Sequence, residues 1–392
     1  MQLDTTFGAH NYHPIPVVIA KAKGVYVWDP EGKKYIDMLS CYSALNQGHR
    51  HPKIIAAAKK QLDLVTLTSR AFHNNKLGPF LKKLTKVTGM EMALPMNTGA
   101  EAVETGIKVA RRWAYRKKMV PEGLAEIIVC ANNFHGRTTT IVGFSSDEDS
   151  RAGFGPFTPG FKVIPYNDVP ALEAAITLNT AAFLVEAIQG EAGVIVPSEG
   201  YLKQVREICT KNNVLLMLDE IQTGFCRTGK MFCFQHEGIK PDILLVAKAL
   251  GGGIMPISAV LTSKEIMSVF TPGSHGSTFG GNPLACAIGE AALDVLIDEK
   301  LDKRAAKLGV YFMKRLKEMK NPRIKEVRGK GLLIAIELTK DAGPARNHTE
   351  ALMRNGLLAK ETHDTTIRFA PPLIIKKEEI DAAIDIIKKT IK

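Results

Sequence analysis

The chain has 392 residues, 45% of them hydrophobic and 23% charged, and its 52 Lys and Arg against 40 Asp and Glu leave a formal net charge of +12. A single hydrophobic core stops growing at about 250–300 residues, so two packed units are expected, and the ordinary apolar fraction excludes disordered and fibrous classes. The positive surplus sits mainly in residues 301–392, with 21 Lys and Arg against 12 Asp and Glu. It is scattered in pairs such as Lys376-Lys377 and Lys388-Lys389 rather than gathered with aromatics, so no nucleic-acid partner is expected.

The first 14 residues, MQLDTTFGAHNYHP, hold neither an apolar signal core nor the arginines of a transit peptide, and no apolar run approaches the roughly 20 residues of a membrane span. A soluble, cytoplasmic protein without a membrane partner is expected. Six cysteines (41, 130, 209, 226, 233, 286) form no CxxC pair and read as free thiols in a reducing compartment. The histidines, including the His49 and His51 pair, lack a third ligand at useful spacing, so no metal site is expected.

Along the chain, residues 102–115 read as a helix, followed by an apolar run at Ile127–Ala131. Further runs lie at Ala181–Val185, Val214–Leu218, Ile243–Ala247 and Ile257–Leu261, with helices at Ala171–Leu178 and Tyr201–Lys211 between them. Apolar runs without alternation suit strands covered on both faces, as in a mostly parallel sheet with crossover helices. Beyond residue 300 the pattern changes. Leu301, Ala305, Leu308, Phe312 and Leu316 fall at helical spacing, as do Ile380, Ala383, Ile384, Ile387 and Ile391, with strand-like pieces at Leu332–Glu337 and Thr366–Phe369 between. The expected fold is α/β: an N-terminal segment (1–50), a large domain (51–300) and a smaller α+β domain (301–392) to which the N-terminal segment contributes.

Gly224-Phe-Cys-Arg-Thr-Gly229-Lys230 fits a GxxxxGK phosphate loop, but Met231 stands where Mg²⁺ binding needs Ser or Thr. The acidic strand 215–219 also comes before the loop, in the wrong order for an ATPase. Lys248 is more informative. It follows the run Ile243–Ala247 and precedes Gly251-Gly252-Gly253. Taken alone, a lysine after a strand is usually a surface residue. At the carboxyl end of a buried parallel strand, however, ligands gather, and a desolvated amine there can form a Schiff base with a carbonyl. Asp219 ends the strand before it, as either a helix cap or the carboxylate that pyridoxal phosphate requires beside its ring nitrogen. Asn97-Thr98-Gly99-Ala100-Glu101 opens the helix 102–115, where unpaired N–H groups could receive a phosphate, or simply where Thr98 caps. Phe134 could stack on a ring.

The run Asp219-Glu-Ile-Gln222-Thr-Gly-Phe-Cys-Arg-Thr-Gly229, with Lys248-Ala-Leu-Gly-Gly-Gly beyond it, resembles the signature of the class III aminotransferases, pyridoxal phosphate enzymes of fold type I. Asn97-Thr-Gly-Ala-Glu-Ala and Gly276-Ser-Thr278-Phe-Gly-Gly-Asn-Pro283 strengthen the likeness, which runs from Gly8-Ala-His-Asn-Tyr12 to Arg368-Phe-Ala-Pro-Pro372. Segments such as Ser43-Ala-Leu-Asn-Gln-Gly-His49 and Val185-Glu186-Ala-Ile-Gln-Gly-Glu191-Ala-Gly193 are most similar to its ornithine-using members. That resemblance implies a ping-pong transfer of the δ-amino group of L-ornithine to 2-oxoglutarate, with other ω-amines (acetylornithine, 4-aminobutyrate) as the alternative donors.

It also implies roles. Lys248 is the Schiff-base lysine, and Asp219 the partner of the ring nitrogen. Gln222 contacts the ring hydroxyl, Phe134 covers the ring, and Thr98, Gly99 and Ala100 hold the phosphate. Thr278 completes that site from the second subunit of a homodimer. Tyr12 and Tyr42 hold the α-end of ornithine, while Glu191 masks Arg368 until the α-carboxylate of 2-oxoglutarate arrives. Arg137 takes the distal carboxylate, a task its planar fork suits. Three positions depart from the family pattern: His135, where an aromatic is frequent, Ala187, where a proline is common, and Cys226.

Overall fold

The computed structural model describes residues 1–392. Three sheets organise it. The first joins the two ends of the chain: β1 (Lys21–Lys23), β2 (Tyr26–Trp28) and β3 (Lys34–Asp37) form an antiparallel meander, and β13 (Leu357–Leu358) adds in parallel to β3. The second, of seven strands, carries the expected apolar runs as β5 (Glu126–Cys130), β7 (Thr180–Glu186), β8 (Leu215–Asp219), β9 (Ile243–Val246) and β10 (Ser258–Thr262). Its edges are β4 (Met92–Met96) and β6 (Phe161–Ile164), in the order β4-β10-β9-β8-β7-β5-β6. The third is an antiparallel sheet of β11 (Ile324–Lys330), β12 (Leu333–Leu338), β15 (Thr366–Phe369) and β14 (Lys360–Thr362), in that order. The large, mostly parallel sheet with smaller sheets beside it is the expected α/β class.

Only β10 runs against the other strands of the large sheet. Residues 247–257 link it to β9 without a crossover helix, and a parallel return needs a dozen or more residues. Successive residues of the inner strands enter different cores. Ile127, Val129, Met217 and Leu245 pack on one side, and Ile128, Cys130, Leu216 and Leu244 on the other. The helix Gly99–Arg116 covers the first side so closely that a Cβ on Gly106 would come within 2.9 Å of the Leu245 and Met217 side chains. The helix expected at 171–178 occupies Val169–Ala175 instead. Asp168 Oδ1 accepts the Ala171 N–H at 2.9 Å and Pro170 sits in the first turn, which moves its start upstream.

The GxxxxGK look-alike is a run of buried turns, not a strand–loop–helix unit. Lys230 is exposed, whereas Arg227 is wholly buried and donates to the Leu332 and Pro371 carbonyls and to Ser40 Oγ and Asn46 Oδ1.

Candidate active site

Strands that run the same way present their carboxyl ends at one edge, and that edge is where the chemistry-bearing residues collect. Glu186 ends β7 and Asp219 ends β8, level with each other in the pairing register. Lys248 follows β9 by two residues, and Thr98 follows β4 by two. Asn97, Thr98, Gly99, Ala100, Phe134, His135, Glu186, Glu191, Asp219, Gln222 and Lys248 line a cavity of about 630 Å³.

Asp219 is buried, and its two oxygens have separate partners. Oδ1 accepts the Ile221 N–H at 2.9 Å, and Oδ2 lies 2.7 Å from Nδ1 of His135. Burial lowers the His135 pKa, but the hydrogen bond and charge of Asp219 outweigh it, and the net shift is upward. Glu186 accepts the Phe134 N–H at 3.0 Å, and burial pushes its carboxyl up to about 7 with the Asp219 charge adding to the effect. Lys248 enters no ion pair and no side-chain hydrogen bond, adopts a positive φ of 44°, and its amine is held below the ordinary lysine range chiefly by burial. It faces Glu191 and Asp219, which oppose that shift, and Arg368, which adds to it.

At the start of the helix Gly99–Arg116, Thr98 Oγ1 accepts the Glu101 N–H at 3.2 Å, and Glu101 reaches back to the N–H groups of Asn97 and Thr98 at 2.8 Å. This capping box leaves the first-turn N–H groups of Gly99 and Ala100 without helical partners. A Cβ on Gly99 would sit 3.2 Å from Ile221, so the approach to those groups is kept open by the absence of a side chain.

Glu191 and Arg368 are paired. Arg368 Nη1 lies 2.7 Å from Glu191 Oε1, Nη2 lies 3.3 Å from Oε2, and Gln222 Nε2 donates to Oε1 at 3.0 Å. Burial would raise the Glu191 pKa, but Arg368 outweighs it and holds the carboxyl down at about 2. The guanidinium carbon lies 4.9 Å from the centre of the Tyr42 ring. Tyr42 belongs to a run of four consecutive positive φ angles, Ser40 to Ser43. That left-handed turn costs roughly 1–2 kcal/mol per non-glycine residue and persists because Asp37 Oδ1 accepts the Leu39 and Ser40 N–H groups.

Not every expected site residue meets the cavity. Tyr12 is 79% exposed, Thr278 is exposed, and neither lines it; Arg137 is exposed with its guanidinium 5.9 Å from the Phe134 ring. The reading from sequence missed the bond of His135 to Asp219, having set the histidine down as a departure in the ring wall. It also gave Glu186 no role. His135 directly follows Phe134, so its proximity was available in the sequence; a contact across 84 residues was not.

The Aminotransferase class-III family profile matches residues 7–391. The chain is a class III aminotransferase. It is 66% identical over 385 residues to the ornithine aminotransferase of Brevibacillus brevis, covering 98% of this chain and 96% of that one. Among solved structures, it is similar to the ornithine aminotransferase of Toxoplasma gondii ME49, with a TM-score of 0.98, 49% identity, and 100% of this chain and 93% of that one covered. It is also similar to an acetylornithine aminotransferase from Elizabethkingia anophelis, with a TM-score of 0.90, 52% identity, and 100% and 97% covered.

Class III aminotransferases depend on pyridoxal phosphate, and the cavity of this class III enzyme fits that group. A free, desolvated amine, a buried carboxylate at a strand end and an open helix N-terminus are what its carbonyl, ring nitrogen and phosphate each require.

Proposed function

We propose that this class III aminotransferase moves the δ-amino group of L-ornithine to 2-oxoglutarate, giving L-glutamate 5-semialdehyde and glutamate by a ping-pong sequence. The observation that carries this reading is the Glu191–Arg368 pair beside Lys248. With Arg368 paired to Glu191, the guanidinium beside Lys248 is not open to an α-carboxylate, so an amino donor enters by its distal amine. Tyr12 and Tyr42 then receive the α-end. When Glu191 turns away, Arg368 takes the α-carboxylate of 2-oxoglutarate and Arg137 its distal carboxylate.

Lys248 would carry the cofactor, Asp219 would face its ring nitrogen with His135 steadying the carboxylate, and Gln222 would meet the ring hydroxyl. Phe134 would lie over the ring, and Thr98, Gly99 and Ala100 would hold the phosphate. Bound pyridoxal phosphate supplies a reactive carbonyl and a protonated ring that accepts an electron pair. Nζ of Lys248, whose pKa burial lowers, is the base that takes the proton from the δ-carbon of bound ornithine.

The unit that works is a homodimer. Thr278 is exposed on its own chain and belongs to the partner's phosphate site. Its neighbour in sequence, Phe279, is more than half exposed. Residues 51–300 form the cofactor domain and 301–392 the small one, with 1–50 contributing to the substrate site. No helix is long and apolar enough to cross a membrane, and a cytoplasmic location fits the free cysteines.

The visible spectrum of the purified protein tests this. A band bleached by ornithine and restored by 2-oxoglutarate is expected; a protein that stays colourless with added pyridoxal phosphate overturns the reading. The 52% identical acetylornithine enzyme keeps a second donor in view. Initial rates with ornithine, N-acetylornithine and 4-aminobutyrate side by side decide between them, and ornithine is expected to lead because Tyr12 and Tyr42 suit a free α-end.

A further inference from the structure

The loop that carries Glu191 leaves β7 and returns on itself. Gln189 and Ile195 exchange backbone hydrogen bonds of 3.2 and 2.9 Å, and the N–H groups of Gly193 and Val194 both donate to the Gly190 carbonyl. Further hydrogen bonds to the loop carbonyls come from the C-terminal sheet. Thr362, at the end of β14, donates its hydroxyl to the Glu191 carbonyl; Arg328, on β11, donates Nε–H to the Gly193 carbonyl at 2.9 Å; Arg368, on β15, donates to the Gly190 carbonyl at 3.2 Å.

Arg328 is itself fixed. Nη1 lies 2.7 Å from Glu326 and 2.5 Å from Glu337, and its side chain is only 12% exposed. Gly193 has a φ of +109°, and a Cβ there would stand 3.1 Å from the Arg328 guanidinium, so the two are fitted to each other. The backbone around Glu191 is thus held from three strands, while its side chain ends in a carboxylate at the cavity.

We propose that Arg328 and Thr362 are positioning residues that clamp the Gly190–Gly193 backbone, so that Glu191 masks and unmasks Arg368 by side-chain rotation alone. Because the clamp keeps Glu191 aimed at Arg368, it favours the masked state and sets how readily a dicarboxylate enters. This rests on the exchange of Glu191 for a substrate carboxylate described under Proposed function.

The test uses the holoenzyme and glutarate, a dicarboxylate with neither an amino nor an oxo group, whose dissociation constant is read by titration calorimetry. Thr362→Val removes one hydroxyl at nearly constant shape. Arg328→Lys keeps a cation for Glu326 and Glu337 but loses the Nε–H. Each variant is expected to tighten glutarate about two- to tenfold, the factor that one ordinary hydrogen bond represents, and to lower KM for 2-oxoglutarate more than it changes kcat. Glu191→Ala tightens glutarate further, and in that background neither Thr362→Val nor Arg328→Lys has any additional effect. If Glu191→Ala leaves glutarate binding unchanged, the masking itself is wrong and the clamp falls with it. If Glu191→Ala tightens binding but the other two variants do nothing, or act equally without Glu191, the clamp alone is overturned.

Discussion

Lys248 and Glu191 are the residues on which the chemistry turns, and each carries a measurable expectation. Lys248→Ala should lower turnover by at least about 10²–10⁴-fold, the range a positioned acid–base group supplies, while dialysed protein still retains pyridoxal phosphate noncovalently through Asp219 and the helix N-terminus. Glu191 titrates at about 2 in the folded protein against 4.5 for a free glutamate. A depressed carboxyl stabilises the fold fully above its unfolded pKa, and that contribution disappears as pH falls through the folded one. The stability gap between wild type and Glu191→Gln should therefore be level above about pH 5 and shrink between about 4.5 and 2. Urea midpoints across that range check it. Lys248 and Asp219 were legible in the sequence because each ends an apolar run, and strand ends are where a parallel sheet gathers ligands. Arg328 and Thr362 were not, since a side chain that reaches a loop more than 130 residues away leaves no local pattern.

At the scale of elements, the helix Gly99–Arg116 aligns the open N–H groups with the strand ends, and its seat on β8 and β9 depends on Gly106. Gly106→Ala gains helix propensity worth about 1 kcal/mol, but its methyl overlaps Leu245 and Met217, and overpacking costs about 1–3 kcal/mol. A modest net drop in thermal midpoint, with weaker pyridoxal phosphate binding, is expected by scanning calorimetry of the apo and loaded forms; a rise would mean that the two side chains give way freely. The inner strands of the large sheet were readable because both of their faces are covered, which makes the run apolar throughout. Its edges were not. β4 contains Pro95, which an edge tolerates and an inner strand does not, and β6 turns Val163 to solvent. The short strands 21–37 gave no signal either, for each is only three or four residues long, and the pairing of β3 with β13 is set from the far end of the chain.

For the whole molecule, the proposed homodimer with Thr278 at the partner's site is open to a direct test. Lys248→Ala subunits, and Thr278→Ala subunits assayed at low pyridoxal phosphate, should each be nearly inactive. Mixed and allowed to exchange, they should regain activity, because every hybrid dimer holds one site with both residues intact. No recovery on demonstrated exchange would place Thr278 at its own chain's site. The net charge of +12 has little part in any of this. Ornithine is itself cationic, and of the basic C-terminal residues it is Arg368 and Arg328 that reach the site or its loop.

Arg227 has a consequence for how the chain comes into being. Its guanidinium lies wholly inside the protein and meets no carboxylate; two of its acceptors come from residues 40–46 and two from residues 332 and 371. A nascent chain that has emerged only as far as residue 300 holds this cation with half its acceptors still unsynthesised, and burying it then costs several kcal/mol. A fragment cut at residues 51 and 300 lacks all four acceptors. The two ends of the chain together supply what this buried cation of the middle requires.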